Sequence, residues 1–388
     1  MSKNTNQRMS DKAILAIFTL GHLVDDLYVN TLPPLIPVLV ATFGLTFAHA
    51  GLAVTFFTIT SSIAQPLFGF AIDRYGIQRM AALGLMMAGI FMGLLGVVHH
   101  YYLVLVLVTL AGLGPAMFHP HASAVISQLS SRTRGKLMSI FLVGGNLGFA
   151  AGPLLVGLLT ATMGMRGMLA MVIPGLLMGI YIWRCSLSCG PMKAKESAPL
   201  TLKDFLPATP ILIVAILRSW IYFSVLSYIP SYFVHRGNSV LRSNTYLTIM
   251  LLAGVAGQLA GGWLSDKFGR KEVTMASLLL SAPLLYLFLN ATGGAALVFF
   301  FLFGFTIMAS FSVTLVMIQE TMSKHVGMAS GLMIGFALGV GGIGVLITGY
   351  IADVFGIHTA LNSLVALPII AGVLTGFVPS AQRPAKEG

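Results

Sequence analysis

Three ionisable side chains interrupt an apolar run. Between Ala13 and Ala41 the residues are almost all hydrophobic, yet the middle holds His22, Asp25 and Asp26. On a helix these positions are three and four apart and share one face. Charge at the centre of an apolar span is costly, and by default marks an ion or substrate path with a partner elsewhere. The partner candidates are His119 and His121, which flank Pro120, and Arg218, inside another apolar run. Imidazole changes charge in the physiological range and suits proton transfer. Adjacent carboxylates suit proton uptake and release. The planar guanidinium of a buried arginine suits a carboxylate or phosphate. The chemistry on offer is therefore proton exchange together with anion binding.

The elements that must position these groups are membrane helices. The chain has 388 residues, 57% hydrophobic and 9% charged, with mean hydropathy +0.91. A soluble chain carries about 25% charged residues. Runs of about 20 apolar residues, each long enough to cross a bilayer, recur throughout. Twelve are expected, at 13–41, 49–72, 80–98, 102–127, 137–161, 167–187, 207–235, 243–265, 272–291, 294–319, 329–352 and 357–378. The expectation is an all-α polytopic protein of two pseudo-symmetric six-helix bundles, 1–187 and 207–388, joined by a polar cytoplasmic linker, 188–206. The first apolar run is too long for a cleavable signal peptide and is followed by further spans. Cys185 and Cys189 lack nearby further ligands and read as reduced thiols.

The net charge of +11 does not point to nucleic acid. With a cytoplasmic N-terminus, 18 of the 22 Lys and Arg residues fall on the cytoplasmic side. Only Arg166, Arg236 and Arg242 fall outside, and Arg218 lies within a span. This is the positive-inside bias, and it puts both termini in the cytoplasm.

The halves also repeat. Gly69, Asp73, Arg74 and Gly76 follow span 2, and Gly262, Asp266, Lys267, Gly269 and Arg270 follow span 8, displaced by 193 residues. Both halves start on the same side, so the duplication is parallel, and substrate sites in such proteins lie near the midplane between repeats. The offset maps Asp25 onto Arg218.

These loops resemble the signature loop of the major facilitator superfamily, over the whole chain. The second copy is complete, whereas the first has Ile77 and Gln78 where basic residues are usual. The resemblance implies that the two loops gate the change of access. In span 5, Gly148, Gly152, Pro153 and Gly157 resemble the antiporter motif, which accompanies proton-coupled exporters; its last glycines are imperfect. Gly21, His22, Asp25 and Asp26 leading into Pro33, Pro34 and Pro37, then Gln65-Pro66, Phe118-His119-Pro120 and Gly144 to Gly148, are similar to fosmidomycin-resistance-type exporters. Asp25, His121 and Thr109 depart from the patterns expected of such antiporters.

The resemblance puts spans 1, 4, 7 and 10 around a central cavity. It thereby places His22, Asp25, Asp26, His119, His121 and Arg218 there, with Asp25 and Arg218 as pseudo-symmetric mates. On helix rise, Asp25 lies about 18 Å from the cytoplasmic start of span 1 and His119 about 13 Å from the cytoplasmic end of span 4. Proton coupling falls to Asp25 and Asp26, assisted by His22, His119 or His121. Substrate contact falls to Arg218 and Asp25, with Tyr28, Asn30, Asn146, Trp220 and Tyr222 as further candidates. No cofactor and no resident metal are expected. The partners are a small-molecule substrate, protons and the lipid bilayer, the unit is a monomer, and the location is a bacterial inner membrane.

Three rival readings stand beside this proton-driven exporter of a small anionic or amphiphilic compound. Two carboxylates and three histidines also suit a transition metal, with Arg218 favouring a chelate over a bare cation. Uptake by symport would use the same fold. An intramembrane enzyme lacks any nucleophile elbow, zinc-protease motif or phosphate loop.

Overall fold

The computed structural model describes residues 9–75, 77, 79–129, 134–185, 206–323 and 326–378. Gly76, the Asp73 side chain and the 188–206 linker, except for Leu206, lie outside what is described. The described residues are helical, without strands.

α1 (Asp11–Val29) starts at Ser10, whose Oγ accepts from the Ala13 amide at 3.3 Å, with Asp11 in the first turn. Both features suit the positive end of a helix. It stops at Asn30 because Pro33 and Pro34 cannot donate backbone hydrogen bonds, and these prolines begin α2 (Leu32–Phe43) instead. α2 closes on Gly44, whose φ of +63° is left-handed and costs glycine little. α3 (Phe47–Tyr75), α4 (Met80–Leu94) and α5 (Tyr101–Leu129) follow. α6 (Arg134–Met163) passes through the 3₁₀ helix Gly164–Met171 into α7 (Val172–Cys185). Then come α8 (Thr209–His235), α9 (Val240–Phe268), α10 (Arg270–Asn290) and α11 (Gly293–Thr321). α12 (Val326–Gly331) runs through a π-helical turn, Leu332–Phe336, into α13 (Ala337–Phe355). α14 (Ile357–Ser363) and α15 (Ala366–Thr375) complete the described chain.

Among the described residues, eleven continuous runs are long and apolar enough to cross a membrane, and one of them, Leu137–Cys185, has 49 residues and holds most of α6 and all of α7. Two of the twelve expected spans therefore share it. Large apolar side chains such as Leu67, Phe70, Leu259 and Tyr350 are exposed along these helices. Intact helical backbone with apolar exteriors is what a hydrocarbon environment demands. The protein is an all-α multi-pass membrane protein.

Two compact units emerge. The first comprises 1–195 with 226–248, and the second 196–225 with 249–388. In the first, Ile14, Phe18, Leu85, Phe118, Phe141 and Ile182 pack into a buried cluster. Residues 226–248 belong to this unit. The Tyr228 hydroxyl donates to the Phe47 carbonyl at 3.1 Å, and Asn244 Nδ2 donates to the Pro34 carbonyl at 3.4 Å. In the second unit Ile211, Val313, Ile318 and Met333 form a comparable cluster. The first glycine of each basic loop has similar room within its own unit. A methyl group on Gly69 would touch Pro120 Cβ at 3.6 Å, and one on Gly262 would touch Ser312 Oγ at 3.7 Å.

Candidate functional site

The site in the first unit is built on the contact between α1 and α6. Small residues let helices approach closely in membranes. A Cβ on Gly148 would collide with the Leu23 carbonyl, and one on Gly152 would lie 2.8 Å from the Asn30 carbonyl. A Cβ on Gly145 would collide with Asp26 Oδ2 and reach the His22 ring at 2.5 Å. Three α6 glycines thus press α1 against bare backbone, and the polar face of α1 fits beside Gly145. Gly157, the last glycine of the motif, lies instead against Leu241 and Asn244, each about 3.2 Å from an added Cβ.

His22 is fixed from α6. Its Nδ1 lies 2.8 Å from the Phe141 carbonyl, and its ring stacks on the Phe141 ring at 4.1 Å between centroids. A carbonyl only accepts, so Nδ1 carries the hydrogen. Nε2 then faces Asp26 Oδ2 at 3.3 Å. From α5, His119 Nε2 comes within 3.1 Å of Asp26 Oδ1 and 3.3 Å of Asp25 Oδ2. The two imidazoles meet edge to face at 5.2 Å. Asp25 is 0% exposed, and among the described residues neither of its oxygens has an aligned hydrogen bond. The His119 and Asp26 side chains keep 24% and 17% of their surface open.

Four of the sequence candidates therefore converge: His22, Asp25, Asp26 and His119. His121 does not join them; it is buried against Phe18, with ring centroids 6.2 Å apart. Tyr28 is buried and gives its hydroxyl to the Met171 carbonyl at 2.6 Å. Asn30 Nδ2 donates to the Phe149 carbonyl at 2.8 Å. Asn146 is half-buried on α6. Sequence reasoning misses Phe141, because a backbone carbonyl leaves no trace in residue type. The Gly144-Gly145 pair was the available signal for Gly145.

In the second unit Arg218 is 2% exposed, and its guanidinium carbon lies 4.5 Å from the centre of the Phe311 ring. Nε and Nη2 have no hydrogen-bond partner among the described residues. A buried guanidinium is costly unless its donors are met, and its planar fork matches a carboxylate or phosphate. Nearby on α8, Trp220 Nε1 donates to Thr348 Oγ1 at 3.0 Å, and Ser224 Oγ lies 2.9 Å from the same oxygen. Tyr222 is buried. At the basic loop, Arg270 grips Glu320 with Nε 2.9 Å from both carboxylate oxygens, and its Nη1 reaches Asp266 Oδ1 at 3.3 Å. Lys267 lies 5.8 Å from the Trp263 ring centre.

Residues 18–256 and 237–388 match the Major Facilitator Superfamily profile. The chain belongs to that superfamily. Its members are transporters, which agrees with the buried polar groups on membrane helices. The fosmidomycin resistance protein of Escherichia coli is 32% identical over 97% of this chain and 95% of its own length. The quinolone resistance protein NorA of Staphylococcus aureus is 24% identical over 90% of this chain and 92% of its own. Among solved folds, a bacterial homologue of the human lysosomal transporter Spinster, crystallised inward-facing and occupied, superposes with TM-score 0.78 at 15% identity, covering 95% of this chain and 96% of its own. This superfamily member thus resembles the fosmidomycin-resistance type, and its relatives include drug-resistance proteins.

Proposed function

We propose that this superfamily member is a proton-coupled exporter of a small anionic or amphiphilic compound, working as a monomer by alternating access in a bacterial inner membrane. Both termini face the cytoplasm, as the distribution of Lys and Arg supports. The single observation that carries the reading is the His22, Asp25, Asp26 and His119 cluster, in which two carboxylates and two imidazoles meet at 3.1–3.3 Å on membrane helices. Asp25 and Asp26 carry the coupled proton. His119, the most open of the four, passes it on. Arg218 takes the negative charge of the substrate, supported by its buried, idle donors. The basic loops around Asp73 and Asp266 gate access. The similarity to fosmidomycin and quinolone resistance proteins supports export over uptake.

The test uses everted membrane vesicles and a pH-sensitive dye. Energised vesicles receive candidate anions, phosphonates first. Exchange predicts a proton efflux evoked by one class of compound and lost in Asp25→Asn and Asp26→Asn. Normal transport with unchanged pH dependence in both variants overturns the coupling.

A further inference from the structure

We infer that His22, Asp26 and His119, backed by Asp25, form a binding site for a divalent transition metal. The Phe141 carbonyl obliges His22 Nδ1 to carry a hydrogen, so a neutral His22 presents the Nε2 lone pair to Asp26 Oδ2 at 3.3 Å. Lone pair against carboxylate repels unless a proton or another cation lies between. His119 Nε2 faces carboxylate oxygens at 3.1 and 3.3 Å from the other side. One hydrogen at each contact satisfies these atoms, and so does one shared metal ion.

The distances suit the metal. Nitrogen and oxygen ligands about 2.0–2.1 Å from a tetrahedral zinc stand about 3.3–3.4 Å from one another. The imidazole–carboxylate contacts here span 3.1–3.3 Å, with His22 on Asp26 Oδ2 and His119 on Asp26 Oδ1, and one ligand atom from each of the three residues lies within 4.8 Å of the others, close enough for small side-chain rotations to bring them onto one ion. Metal-binding imidazoles usually donate their other N–H to a carbonyl or carboxylate. His22 already does so to Phe141. Gly145 leaves the space in which the His22 and Asp26 atoms meet. The open faces of Asp26 and His119 give an ion a way in.

Donor chemistry narrows the ligand. Two imidazoles with carboxylates select zinc, cobalt or nickel over magnesium or calcium, which prefer all-oxygen shells. Two carboxylates neutralise a divalent ion, which offsets the cost of charge inside a membrane protein. The inference rests on this geometry and not on the cargo or direction proposed above.

The experiment is calorimetric titration of the purified full-length protein, with any affinity tag removed, using zinc chloride. The expected result is one saturable site that weakens at least about tenfold in His119→Gln and Asp26→Asn. Removing the exposed pair with His99→Asn and His100→Asn leaves it unchanged. An absent saturable heat overturns the inference, and so does one identical in the His119 and Asp26 variants. Should either variant fail to fold, cobalt decides on the native chain. Intense visible bands of a four-coordinate ion, erased by zinc, support the site, and their absence overturns it. No transport is measured, so a failed exporter reading and a failed metal site are separable.

Discussion

His22 uses two different parts of Phe141, donating Nδ1–H to its carbonyl at 2.8 Å while stacking on its ring at 4.1 Å. This double hold sets the tautomer and the plane of the imidazole, so Nε2 is aimed at Asp26 rather than free to turn. A proton or a metal ion arriving between them finds its ligands already oriented. That is the kind of preorganisation a binding site needs.

Asp25→Asn replaces a buried carboxyl group that no aligned hydrogen bond among the described residues supports. The expected outcome is a folded protein that still binds substrate but no longer moves protons in response to it, with binding independent of pH across the range where wild type varies. Tryptophan-fluorescence binding curves beside the vesicle assay check this. Pronounced pH dependence retained in Asp25→Asn would move the proton to Asp26 or His119.

Arg218→Ala deletes the idle donors over Phe311. Hydrogen bonds to charged groups contribute about 1.5–3 kcal/mol, so an anionic substrate should bind about 10–100-fold more weakly. Arg218→Lys keeps the charge but loses the planar fork, and should recover only part of the affinity. Equilibrium binding to the purified variants measures both.

Gly148→Ala drives a methyl group into the Leu23 carbonyl. Backbone cannot yield as a side-chain tip can, so α1 and α6 must separate. Overpacking of this kind costs about 1–3 kcal/mol. Thermal unfolding in detergent should show a lower midpoint, and transport should fall along with it because the same contact holds His22 and Asp26 in place. Gly69→Ala, with Pro120 at a comfortable 3.6 Å, should unfold like wild type.

Glu320→Gln breaks the two-point grip of Arg270. Both side chains are partly exposed, so the stability change should stay below about 1 kcal/mol. If the basic loop gates access, the rate of transport should change while substrate affinity does not. Single-turnover flux and equilibrium binding, measured on the same preparation, separate the two.

The sequence by itself determined what depends on local pattern. Span length is a property of consecutive residues, so the membrane class and the helices were legible; the joined α6 and α7 run still resolves into two of the expected spans. His22, Asp25 and Asp26 share a face because three and four residues make about one helical turn. The repeat was legible because the glycines and charges of its two loops stand at a constant offset. What required tertiary structure was the choice of partner. His119 and His121 stand two residues apart on one helix, about 200° apart around its axis, and nothing local says which of those directions α1 occupies. The fold turned His119 to the carboxylates and His121 to Phe18. It also supplied the Phe141 carbonyl, a group every residue carries, whose role exists only because Gly145 and Gly148 let two helices touch.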